Sequence, residues 1–102
     1  MTFVLDRAHF DHMTGADRAL QREILDLFQG QAAAWESALA ASQAWREPVH
    51  TLKGSARGIG FLALAAACEA AEQCSDEASG LAAVRAALRD ALGAIADFGV
   101  AA

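Results

Sequence analysis

The sequence has no tyrosine, one proline and two cysteines in 102 residues, and aromatic residues make up only 7% of it. All-β folds need turn residues at short intervals, and a chain with Pro48 as its single proline does not supply them. Basic residues are also few. There are 8 Lys and Arg against 13 Asp and Glu, a formal net charge of −5 and a sequence pI near 4.9. A nucleic-acid module would carry a basic stripe, so no nucleic-acid partner is expected. The longest apolar run, Phe61 to Cys68, is far too short to span a bilayer, so no membrane role is expected. The first residues, Met1 to Asp6, lack the charged and apolar regions of a signal peptide. Cys68 and Cys74, six apart and on opposite faces of one predicted helix, do not pair easily. They read as reduced, buried packing thiols, which fits a cytoplasmic location.

What is present points to helices. Hydrophobic residues reach 55% and charged residues 21%, which excludes intrinsic disorder. About a quarter of the chain is alanine, the best helix former. The length suits one domain over residues 1–102, burying roughly 64% of the unfolded chain's surface. Asp6 caps a short helix closed at Thr14-Gly15. Asp17 opens a long one ending near Ser42, with Leu20, Ile24, Leu27, Phe28, Ala34, Trp35, Ala38 and Leu39 as its apolar stripe. A third helix carries Trp45, Val49, Leu52, Ala56 and Ile59 on one face. Pro48 lies in its first turn or kinks it, and Gly58 and Gly60 mark the turn that follows. A fourth runs from Leu62 to Ser75 with Leu64, Cys68 and Ala71 inward, and Ser75 to Gly80 reads as a loop. The fifth, Leu81 to Phe98, aligns Val84, Ala87, Leu88, Ala91, Ile95 and Phe98. Short connections make neighbours antiparallel. The expected fold is therefore all-α: an antiparallel up-down-up-down four-helix bundle with a short extra N-terminal helix.

One segment carries chemistry: His50 to Gly60, HTLKGSARGIG. With His50 placed at 0° on a helical wheel, Arg46 falls at about −40°, Lys53 at about −60°, Gly54 at about +40° and Arg57 at about −20°. The core residues Val49, Leu52, Ala56 and Ile59 lie well off this face. His50 is therefore on the wet side among cations, with a glycine one turn later. A mid-helix glycine on an exposed face is costly, and close approach by another molecule is one reason to keep it. If the next two helices fold back around Phe61, His50 and Glu72, each eleven residues from it, stand at one height. A carboxylate there would hold one ring N–H and leave the other nitrogen's lone pair outward. Neighbouring Gln73 is the alternative partner. A fixed imidazole with a lysine one turn away suits transfer of a phosphoryl group. That chemistry needs mainly positioning and charge neutralisation, and Lys53 would supply charge to the equatorial oxygens.

The segment resembles the signature of histidine-containing phosphotransfer (Hpt) domains, a His–x–x–Lys–Gly core followed by small residues and a helix-ending glycine. Leu64, Cys68 and Glu72 stand where that family usually has a leucine, a cysteine and a glutamine or glutamate, and Glu23 to Phe28 is similar to its second-helix pattern. The chain departs from the family at Pro48, where a good helix former is usual, and at Ala71, where a larger aliphatic is usual. The resemblance implies a His–Asp phosphorelay intermediate. His50 would accept a phosphoryl group from a receiver domain's aspartyl phosphate and pass it to another receiver, with Lys53, Gly54 and Glu72 assisting. The partners would be receiver domains of response regulators or hybrid kinases, bringing their own Mg2+; the chain itself would hold no cofactor or metal and act as a monomer.

Simpler roles stand beside these. Lys53 and Arg57 could be solvated charges, and Arg46 and Arg57 are the candidate partner-binding cations. Phe10 and Met13 on the first helix would form an apolar docking rim or belong to the core. His9 and His12 are three apart, but nothing completes a metal site around them. The contrasting function is a helical adaptor that carries no phosphate; it needs no nucleophile followed by Lys53-Gly54. An autonomous histidine kinase is not expected, because the chain has no nucleotide-binding glycine motif and no room for an ATP-binding domain.

Overall fold

The structure is a computed structural model that describes residues 4–40 and 45–101. Among these residues five helices follow in order: α1 (Arg7–Thr14), α2 (Arg18–Ala40), α3 (Arg46–Ile59), α4 (Leu62–Gln73) and α5 (Glu77–Ala101). There is no strand among the described residues. Each of α2 to α5 packs on its neighbour in the chain, and α2 closes the ring against α5. This is the expected four-helix bundle, with α1 laid on α2 and α3.

The ends are set by local chemistry. Asp6 accepts the His9 backbone N–H at 3.1 Å and caps α1, while Gly15, at φ 64°, ends it. Asp17 accepts the Leu20 N–H at 3.1 Å and opens α2. The expected end of α2 near Ser42 lies outside the described residues. Pro48 is in the first turn of α3, where a missing N–H costs no helical bond, and α3 is not broken by it. Gly60, at φ 113°, ends α3; a Cβ there would lie 3.1 Å from the Asp6 carbonyl oxygen. The Asp6 N–H donates to the Gly60 carbonyl at 2.9 Å, so α1 is fastened to the α3–α4 turn.

The structure differs from expectation at the α2 stripe, at the start of α5 and at the end of α3. The buried stripe of α2 is Gln21, Leu25, Phe28, Ala32, Trp35 and Leu39, stepping by four and three. Leu20 and Leu27, expected inside, are exposed, as is Ala34. The seam runs through a glutamine and a small alanine, so hydrophobicity alone places it one residue off. Gln21 belongs inside because its amide donates to Asp11 at 2.7 Å and to Thr14 at 3.0 Å, tying α2 to α1. Second, α5 begins at Glu77, and the expected loop of Ser75 to Gly80 shrinks accordingly. Asp76 accepts the Ser79 N–H at 3.3 Å and its hydroxyl at 2.9 Å, a cap that starts the helix early and holds the Asp76 carboxyl below its ordinary pKa. Third, Gly58 is inside α3 and only Gly60 makes the turn.

Ala71, small for its position, also finds its reason here. A Cβ on Gly80 would lie 3.1 Å from the Ala71 Cα and 3.3 Å from its Cβ, so the Ala71–Gly80 pair lets α4 and α5 approach closely. Val49, Leu52, Ala56 and Ile59 of α3 are buried as expected, with Trp45 before them. Each such side chain, where large, stabilises the fold by roughly 1.5–3 kcal/mol. Their burial is what turns the opposite face of α3 outward.

Candidate functional site

That outward face carries His50, whose side chain is 72% exposed. A Cβ added at Gly54 would meet nothing within 4 Å among the described residues, so this glycine is not there to pack against them. The same holds for Gly58, one turn further on, and the two together leave a bare strip along α3. Reading Gly58 as part of the turn concealed that strip, although its four-residue spacing from Gly54 was the available signal.

The fold-back around Phe61 brings α4 alongside, and Glu72 arrives at the height of His50. Its Oε2 lies 3.6 Å from His50 Nδ1, an electrostatic contact slightly beyond hydrogen-bond length. Gln73, the alternative partner, is exposed at the end of α4. The carboxylate has a closer neighbour in Lys53, whose Nζ is 2.6 Å from Oε1. That ammonium, through its direct contact, holds the Glu72 carboxyl below the ordinary carboxylate range; burial opposes this and the nearby His50 adds to it. Sequence reasoning placed Lys53 and Glu72 separately beside His50. It missed that they pair with each other, because the pairing depends on how the two side chains cross between helices.

The two arginines are also engaged. Arg46 stacks over the Trp45 ring at 4.5 Å and donates to the Glu72 carbonyl at 3.4 Å, a cation at the C-terminal turn of α4. Arg57 pairs with Glu69 at 3.1 Å on the exposed surface. Met13 is 57% exposed on α1. Phe10 is core, not rim: it is 1% exposed and packs edge-on against Phe98 with ring centroids 6.0 Å apart. An amphipathic helix as short as α1 has to bury its one large ring to dock at all.

Cys68 lies beneath the site, fully buried; burial first, and the Glu72 charge second, push its thiol up to about 11, so it stays protonated. Cys74 is only half-buried, less than expected, since it falls just past the end of α4. His9 places its ring Nε2 3.3 Å from the Gly58 carbonyl and His12 is exposed. Among the described residues no cluster of His, Cys, Asp or Glu could hold a metal ion, and no helix is long and apolar enough to cross a membrane.

The arrangement is thus a solvent-facing imidazole with one nitrogen turned to a carboxylate, a lysine beside it, and open backbone one turn away. Comparison with known proteins bears on the fold and the family. No match is found among curated proteins. The fold is similar to the crystal structure of the histidine phosphotransferase ShpA from Caulobacter crescentus. The TM-score is 0.84 and the identity 37%, over 95% of this chain and 91% of that one. The family model of the Hpt domain matches residues 11–98. With the family model over residues 11–98 and the structural likeness in agreement, the chain belongs to the Hpt domain family and is a phosphorelay intermediate of two-component signalling.

Proposed function

We propose that His50 is the residue that carries the phosphoryl group. The observation that supports this most is its exposure beside Glu72, with Nδ1 toward the carboxylate and Nε2 left for the reaction. The Nε2 lone pair attacks the phosphorus of a receiver's aspartyl phosphate. The N–P bond forms, the P–O bond breaks, and the electron pair returns to the aspartate carboxylate. Nδ1 keeps its proton, and the positive charge gained by the ring faces Glu72. Transfer to a second receiver reverses these steps. Gly54 admits the receiver's acidic pocket, and that pocket brings Mg2+ held by its own carboxylates. Arg46, Arg57 and exposed Met13 border the contact. The chain works as a monomer and takes no phosphoryl group from ATP by itself.

The test is labelling from a phosphorylated receiver. Wild type is expected to gain acid-labile, base-stable label, and His50→Gln to gain none while melting as wild type does. Label that persists on His50→Gln rejects the assignment. Stoichiometric labelling of the pure protein by ATP rejects the carrier-only role.

A further inference from the structure

Lys53 and His50 reach one carboxylate, and they reach it unequally. The lysine nitrogen is 2.6 Å from Glu72 Oε1, the imidazole Nδ1 3.6 Å from Oε2. The lysine side chain is 15% exposed against 72% for the histidine. Glu72 Oε1 is itself buried, and among the described residues only Lys53 lies within ion-pair reach of it. The cation one turn from the nucleophile is therefore turned inward, away from the solvent side on which a phosphoryl group would arrive.

We infer that Lys53 is an exchangeable cation: Glu72 holds it while His50 is free, and the phosphoryl group draws it away once His50 is loaded, leaving Glu72 to accept the Nδ1–H. This rests on His50 being the phosphoryl acceptor. The exchange leaves every charge partnered in both states. At rest the pair is Lys53 with Glu72. After loading, the phosphoryl dianion has Lys53, and the positively charged ring has Glu72 at charge-assisted hydrogen-bond distance. Without the exchange, the ring's new charge would share a carboxylate already occupied by an ammonium, and the dianion would lack its nearest cation. Glu72 is in this sense a positioning residue. It sets when Lys53 is available as well as where the imidazole points.

A double-mutant cycle with a small phosphoryl donor tests this without any receiver. Phosphoramidate is used: its P–N bond breaks, ammonia leaves, and the N–P bond to His50 Nε2 forms. Glu72→Gln keeps an oxygen acceptor for Nδ1–H but no longer holds the ammonium. Lys53→Met keeps the apolar stem and removes the charge. Glu72→Gln is expected to speed loading, with a gain at least about threefold larger in the presence of Lys53 than in the Lys53→Met background. A role confined to orienting His50 or to general charge repulsion gives equal gains in the two backgrounds. Equal gains, or no gain with Lys53 present, overturn the exchange alone. Absence of label on wild type, or its retention by His50→Gln, overturns the acceptor assignment and the exchange with it.

Discussion

Two histidine–glycine neighbourhoods occur along α3, and they serve opposite ends. At the C-terminal end, His9 lies against the Gly58 carbonyl and the Gly60 turn, with its ring nitrogen 3.3 Å from that oxygen. At Gly60 any side chain would be strained, with φ at 113° and a would-be Cβ 3.2 Å from the His9 ring. In the middle of the helix, His50 is exposed and Gly54 faces empty space. One pair is committed to fastening α1 to the bundle. In the other, Gly54 makes no packing contact among the described residues that would explain it. A glycine whose cost is repaid inside the chain is structural. One whose cost is not repaid there points to something outside it.

Substitution can break this contrast. The largest effect is expected at the open glycine. Gly54→Gln should fold, yet slow phosphotransfer from a receiver by roughly tenfold or more, since displacement of about 1 Å at a reacting centre can cost about a hundredfold. Gly54→Glu should be worse, because it also repels an acidic pocket. Transfer at the wild-type rate by Gly54→Gln would remove the close-approach explanation. Next comes Gly60→Ala. Forcing a side chain into the left-handed region and against Asp6 should cost about 2 kcal/mol, a fall of roughly 10 °C in Tm. Gly54→Ala, by contrast, should hold or raise the Tm, since alanine favours a helix by about 1 kcal/mol over glycine. Thermal melting of the two variants side by side sharpens the comparison, and equal destabilisation would abolish it.

The smallest effect concerns pH. Lys53 lowers the Glu72 carboxyl below its ordinary value of 4.5 in the folded chain. A depressed native pKa adds stability above the unfolded value, and that stability is lost as pH falls through the native one. The ion pair is partly solvated, so its contribution is at most about 1 kcal/mol. The Tm difference between wild type and Lys53→Met should therefore shift by a few degrees between neutral pH and the region below 4.5. A difference constant across that range would show that the pair contributes nothing to stability.

α3 and α2 also differ in how readily they could be read. In α3 the apolar positions are Val49, Leu52, Ala56 and Ile59, a clean stripe, and the face opposite follows from it by rotation alone. His50, Lys53, Gly54 and Arg57 were legible for that reason. Glu72 was legible because the Gly60-Phe61 turn is tight enough for equal counting from it to work. In α2 the buried register runs through Gln21 and the small Ala32, so the apolar pattern points inward at Leu20 and Leu27, which are exposed, and passes over Leu25, which is buried. Gln21 is buried because Asp11 and Thr14 of another helix meet its amide, and no local pattern reports that.

Helix content, the order of the elements, the caps at Asp6, Gly15 and Asp17, and the outward placement of His50 and Gly54 follow from the sequence by itself. Each depends on residues within a turn or two of one another, where backbone geometry makes spacing equivalent to position. Tertiary structure alone decided that Phe10 belongs to the core, that Ala71 and Gly80 meet, and that Lys53 grips the carboxylate facing His50. These contacts join residues on different helices. Their distances depend on how closely and at what rotation the helices pack, and the periodicity of any single helix does not contain that information.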